Sequence, residues 1–157
     1  MRQTHPLPIH HSWPLHDRAR QFALGQLLDH HPLDTELATA DAIAAALPGG
    51  VRIGEWSCDL ADNGLHWSGE VYRLFGLPDA AAVTRDETVA LYCEPSRAAM
   101  ERLRAYAIRH RRGFTLDAEI QPMQGPRRWM RLVAAPICEG DAVVKLQGLK
   151  IELPARA

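Results

Sequence analysis

Residues 54–77 read GEWSCDLADNGLHWSGEVYRLFGL. Two of the chain's four tryptophans, Trp56 and Trp67, flank the polar run Asp59-Leu60-Ala61-Asp62-Asn63-Gly64. Asn63-Gly64 is a short-range hairpin signal, because both residue types tolerate positive φ. The reading is a β-hairpin whose two tryptophans sit on paired strands and anchor it to a core. Val51 and Ile53 alternate on one parity, and Trp56, Cys58 and Leu60 on the other. Gly54 lies near the change, so a bulge is expected there. Ser68 is placed to cap a short helix that runs to Phe75 and ends at Gly76 and Pro78.

Downstream, Thr84-Arg85-Asp86-Glu87 has the capping-box pattern and leads into Val89, Leu91 and Tyr92. A longer helix is expected from Pro95 to about Arg111. It carries the stripe Ala99, Met100, Leu103, Tyr106, Ala107 and His110, and Gly113 closes it. Phe114, Leu116, Ala118 and Ile120 then alternate with polar neighbours, as in a half-buried antiparallel strand. Two more strands follow, from Arg128 and from Val143 to Leu153, with Glu119 expected as strand surface or paired with Arg128 or Arg131. Two strands, several helices and three strands give an α+β fold: a five-stranded antiparallel sheet with helices packed on one face.

Upstream, residues 1–14 hold three prolines and three histidines without periodicity and read as a flexible arm. Residues 15–48 read as two helices, from Asp17 to about His30 and from about Thr35 to Leu47, with Pro48-Gly49-Gly50 as the stop. Residues 49–153 form the main domain and 154–157 a tail. The apolar residues Phe22, Leu27, Leu28, Leu37, Ile43 and Leu47 need a partner surface, and a homodimer organised by this helical pair supplies one.

The 157 residues suit one ordinary domain, and 18 basic against 19 acidic side chains argue against nucleic acid or an anionic membrane as partner. Three widely spaced cysteines, Cys58, Cys93 and Cys138, suggest neither a disulfide framework nor a thiolate metal site. No signal-peptide run or bilayer-length apolar segment is present, so a cytoplasmic location is the expectation. Histidines 5, 10, 11, 16, 30 and 31 lack a ligand spacing, and no metal site is assigned. Nucleophile elbow, Gly-rich phosphate loop, HExxH and paired-carboxylate motifs are all missing, so an enzyme is not expected.

Six pieces in order resemble the PAS domain in its bacterial signalling branch: Gly54-Glu55-Trp56, Trp67-Ser68, Phe75-Gly76, Glu119, Gly125-Pro126-Arg127-Arg128-Trp129 and Gly148. The likeness covers about residues 51–153. Two positions depart from it: Glu94-Pro95-Ser96-Arg97 stands for the usual His-Pro-x-Asp, and Lys150-Ile151-Glu152-Leu153 for a terminal Asp-Ile-Thr. The resemblance implies a stand-alone sensory or regulatory protein that binds a small molecule or a signalling partner and transmits through its N-terminal helices. It places a ligand between sheet and helices, against Trp56, Cys58, Met100, Leu103, Ala107, Leu116, Ala118, Trp129 and Leu146. Haem is not expected, because His110 lies at the helix end and not near Leu103. Flavin is not expected either, because Cys93 is outside any Asn-Cys-Arg motif. A ligand-free dimerisation scaffold and a small α+β enzyme with a similar pocket are the competing readings.

Overall fold

The computed structural model describes residues 10–27 and 52–154. In chain order the elements are β1 (His10–Pro14), a 3-10 turn (Leu15–Asp17), α1 (Arg18–Leu27), β2 (Ile53–Asp59) and β3 (Leu65–Trp67). They continue with α2 (Gly69–Leu74), α3 (Arg85–Val89), α4 (Glu94–His110), β4 (Arg112–Ile120), β5 (Arg128–Glu139) and β6 (Ala142–Glu152). The expected helix from Thr35 to Leu47, with Leu37, Ile43 and Leu47, lies outside the described residues, as does Leu28 of the first expected helix.

The strands form one antiparallel sheet in the order β1-β4-β5-β6-β2-β3. The α+β architecture expected from sequence is present, with six strands where five were expected. The sixth is β1, from the stretch read as an arm. Its residues carry no alternating signature because its anchor is one side chain: Trp13 is buried and lies over Gly113, its register partner on β4. A Cβ at Gly113 would stand 2.1 Å from the Trp13 ring, so only glycine admits the indole there. Gly113 therefore serves the strand and not the helix end, which is closed by Arg111 in the left-handed region at φ 55°.

Both sheet faces are covered. The inner face meets α2, α3 and α4 through Phe114, Leu116, Ala118 and Ile120 of β4 and Met130, Leu132 and Ala134 of β5, packed on Val71, Leu74, Phe75, Ala99, Met100 and Ala107. The outer face carries a second cluster of Trp13, Ile53, Val133, Ala135, Leu149 and Ile151, with Leu15 and Phe22 against it. Phe22 makes an edge contact with Trp13 at 6.3 Å between centroids, so in this chain it packs on its own sheet.

Two buried faces explain the parity change near Gly54. Pairing of β2 with β6 runs without a shift from Ile53↔Ile151 to Asp59↔Lys145, so the expected bulge is absent. Ile53 belongs to the outer cluster, while Trp56 packs on the inner one. Gly54 instead permits helix contact: a Cβ there would lie 2.4 Å from Val71 Cγ2 of α2. The sheet's irregularity sits between Ile137 and Cys138.

Burial of the outer face also changes the fate of its polar residues. β4 is buried on both sides, not half-buried as expected. Thr115 Oγ1 accepts from Trp13 Nε1 at 3.1 Å, and Asp117 accepts two hydrogen bonds from Arg131, at 2.8 and 3.2 Å. Arg131 thus pairs with Asp117, its register partner, and Arg128 with Glu152; neither pairs with Glu119 as expected.

Candidate functional site

Trp56 and Trp67 are register partners on β2 and β3, which answers why the hairpin carries one on each arm. The turn between them holds Asn63 at φ 56° and is closed by the Asp59 amide donating to Gly64 O at 2.9 Å. Ser68 does not cap α2 with its side chain, contrary to expectation. Its Oγ accepts from Glu55 N and its own amide donates to Glu55 O, both at 2.9 Å, locking the start of α2 onto β2. Trp67 stacks on Phe75 with centroids 5.1 Å apart and planes at 15°. Trp56 Nε1 donates to Leu149 O at 3.3 Å.

These rings enclose a residue that the sequence reading passed over. Lys150 lies on the inner face of β6 and is only 6% exposed. Its Nζ stands 4.8 Å from the ring centroid of Phe75, 5.3 Å from Trp67, 5.4 Å from Trp56 and 5.8 Å from Tyr92. Such ring faces favour a cation. Nζ also donates to Tyr92 Oη at 3.4 Å. Among the described residues no carboxylate forms an ion pair with it. Burial pulls its pKa from 10.5 down to about 7; the Cys58 sulfur pushes it up, and the Arg85 guanidinium lowers it further. Burial raises the Tyr92 phenol above its ordinary value, so Tyr92 is a neutral partner.

A cleft of about 50 Å³ opens beside this amine. Its basic residues are Lys150, Arg85 and Arg104, and no acidic side chain lines it. Arg85 is held by Glu101, and Arg104 donates to Asn63 Oδ1 at 3.3 Å. Apolar walls come from Trp56, Leu65, Val89, Met100, Phe114, Leu132 and Leu146, with Cys58, Thr88 and Tyr92 completing the rim. The α3 wall is positioned by the expected capping box: Thr84 Oγ1 accepts from Glu87 N, and Glu87 Oε1 accepts from Thr84 N.

Of the residues placed at a ligand site by sequence, the structure brings Trp56, Cys58, Met100 and Leu146 together on this cleft. Ala107, Leu116 and Ala118 are in the inner core and Leu103 packs against it, but none of the four lines the cleft. Trp129 does not belong to it. It alternates with Met130 and so stands on the outer face, opposite Glu119 in register. Leu65, Arg85, Thr88, Val89, Tyr92, Arg104, Phe114, Leu132 and Lys150 are the lining residues that sequence reading missed. Lys150 had a signal: it shares parity with Leu146 and Gly148 on a strand whose partner residues are apolar.

Residues weighed for cofactors lie elsewhere. His110 is exposed at the last turn of α4, with its ring 4.3 Å from that of exposed Tyr106. Cys93 is the half-buried N-cap of α4, its thiol pKa raised by burial and by Glu119. Ser96, in the departed His-Pro-x-Asp position, does not cap the helix; its Oγ accepts from Glu119 N at 2.8 Å and ties α4 to β4. Among the described residues no three His, Cys, Asp or Glu side chains converge as a metal-ligand set, and no helix is long and apolar enough to cross a membrane.

No protein-family model matches the sequence, and no curated protein matches it. Solved structures do. An RNA-binding light-oxygen-voltage receptor superposes with a TM-score of 0.59 at 16% identity over 68% of this chain, which spans 31% of that receptor's length. The N-terminal domain of a diguanylate cyclase with a PAS/PAC sensor, from Marinobacter aquaeolei, gives 0.58 at 12% identity, covering 64% of this chain and 94% of that one. A sensory box histidine kinase/response regulator from Burkholderia thailandensis gives 0.59 at 15% identity, covering 73% and 85%.

Proposed function

We propose, from the PAS fold that this chain carries, that it is a sensory module whose inner cleft takes a small molecule and whose N-terminal segment passes the change on. One observation carries this reading: β6 presents Lys150 to the cleft while its neighbours Leu149 and Ile151 belong to the outer cluster, which holds Trp13 of β1 and is covered by Phe22 of α1. A shift of β6 on occupancy is thereby felt on the face that α1 covers. Packed interfaces of this kind transmit small displacements, because close-packed side chains do not deform freely.

The output goes to other proteins. Leu27, Leu28, Leu37, Ile43 and Leu47 give the N-terminal segment apolar residues for a homodimer contact, and a signalling partner reads the resulting arrangement. The solved relatives named for sensing, a PAS/PAC sensor and a sensory box kinase, support a role in signal transduction. The module works by binding and not by turnover, in the cytoplasm, with neither haem nor flavin. Native mass spectrometry of the freshly purified protein tests the reading. A co-purifying mass that dissociates on unfolding supports it, and the bare chain mass alone counts against it.

A second reading has its own support. Lys150 itself occupies the aromatic cage and the cleft is small, which suits a ligand-free scaffold built to dimerise. In that case the bare chain is a dimer and small molecules leave its melting temperature unchanged.

A further inference from the structure

We infer that the cleft is selective for a short-chain monocarboxylate, bound with its carboxylate against Lys150 and its alkyl chain along Met100 and Leu146. This rests on the reading of the cleft as a ligand site and names the ligand class. Three observations converge on it. Lys150 is more than nine-tenths buried, and among the described residues no carboxylate pairs with it. A buried ammonium without an anion is unfavourable, and a bound anion restores the balance. The lining itself is basic without an acid: Arg85 and Arg104 approach from α3 and α4, and the apolar remainder excludes a small hydrated inorganic ion as best fit. Size sets the chain length. At roughly 10–15 Å³ per water-sized group, about 50 Å³ holds about three to five such groups, the scale of acetate or propionate.

The groups facing Lys150 define the pH behaviour. They are Cys58 on β2, Tyr92 ahead of α4 and Arg85 on α3, with Glu101 behind Arg85. The carboxylate binds the protonated amine, so binding carries proton uptake where the free amine is neutral. Affinity then falls as pH rises above about 7.

The test is isothermal titration of the full chain with straight-chain acids from acetate to hexanoate and with the matching primary amides, at pH 6.5 and 8.5. Propionate is expected to bind at least tenfold more tightly than propionamide at pH 6.5. The preference should shrink several-fold at pH 8.5. Lys150→Met should remove the preference while leaving amide binding in place. Equal affinity for acid and amide overturns this inference and leaves the cleft as a ligand site. A preference that persists in Lys150→Met overturns it as well, and so does absence of binding by both series, the ligand-site reading then resting on the native mass spectrum alone.

Discussion

A lysine ammonium enclosed by four aromatic rings is held by two opposed effects. Removal from water disfavours the charge, while the ring faces and the Tyr92 hydroxyl support it. With a folded pKa of about 7 against an ordinary 10.5, the folded state binds fewer protons than the unfolded state between those values. Stability therefore rises with pH across that window, and the full penalty of the buried cation is present below about pH 7. Lys150→Met is expected to raise stability at pH 6 by roughly 2–5 kcal/mol, a gain that shrinks toward pH 10. Urea titrations of both proteins at pH 6, 8 and 10 check the sign; a gain that does not depend on pH would show packing, not charge, to be its source. Trp13→Ala should cost about 3–5 kcal/mol by the same measurement, as loss of a fully buried large aromatic does. At this scale the sequence displayed Trp56 and Cys58 well, because their strand shows its parity. It concealed the side on which Trp129 falls, because a strand buried on both faces has no polar half to reveal its orientation.

Elements were legible where their signals are local. The Asn63-Gly64 hairpin, the Thr84–Glu87 box and the long helix after Cys93 all depend on residues within a few positions of one another. β1 could not be read this way. Its pairing partner is about a hundred residues away, and its five residues, His10–Pro14, include a proline and two exposed histidines. Long-range register, not propensity, makes it a strand. Gly113→Val tests that dependence: the new side chain collides with the Trp13 ring and should release β1 from the sheet edge. A red-shifted tryptophan emission and a loss of roughly 1–3 kcal/mol are expected. An unchanged emission spectrum would mean that Trp13 is not seated on residue 113. At α3, Thr84→Ala should cost about 1 kcal/mol through loss of the cap, read as a lower thermal midpoint.

For the whole molecule, the sheet divides two tasks between its faces. The inner face carries the cleft, the cage and the short helices; the outer face carries Trp13 of β1 with Leu15 and Phe22 against it. Fragment 49–157 lacks β1 and α1, which leaves Ile53, Val133, Leu149 and Ile151 uncovered. Analytical ultracentrifugation should find the full chain dimeric and the fragment monomeric or aggregated; an equally tight dimer of the fragment would place the dimer contact elsewhere. The purified protein should also be colourless, and a stoichiometric Soret band or flavin absorption would show that the cleft takes a different ligand.

On the reading proposed above, occupancy of the inner cleft is felt across the sheet by β1 and α1. Amide hydrogen exchange of the full chain with and without saturating propionate measures that coupling directly. Protection is expected to change in β6 and α3 and, with them, in His10–Pro14 at the sheet edge and Arg18–Leu27 on the opposite face. A response confined to the inner face, with β1 and α1 unaltered, would contradict the account.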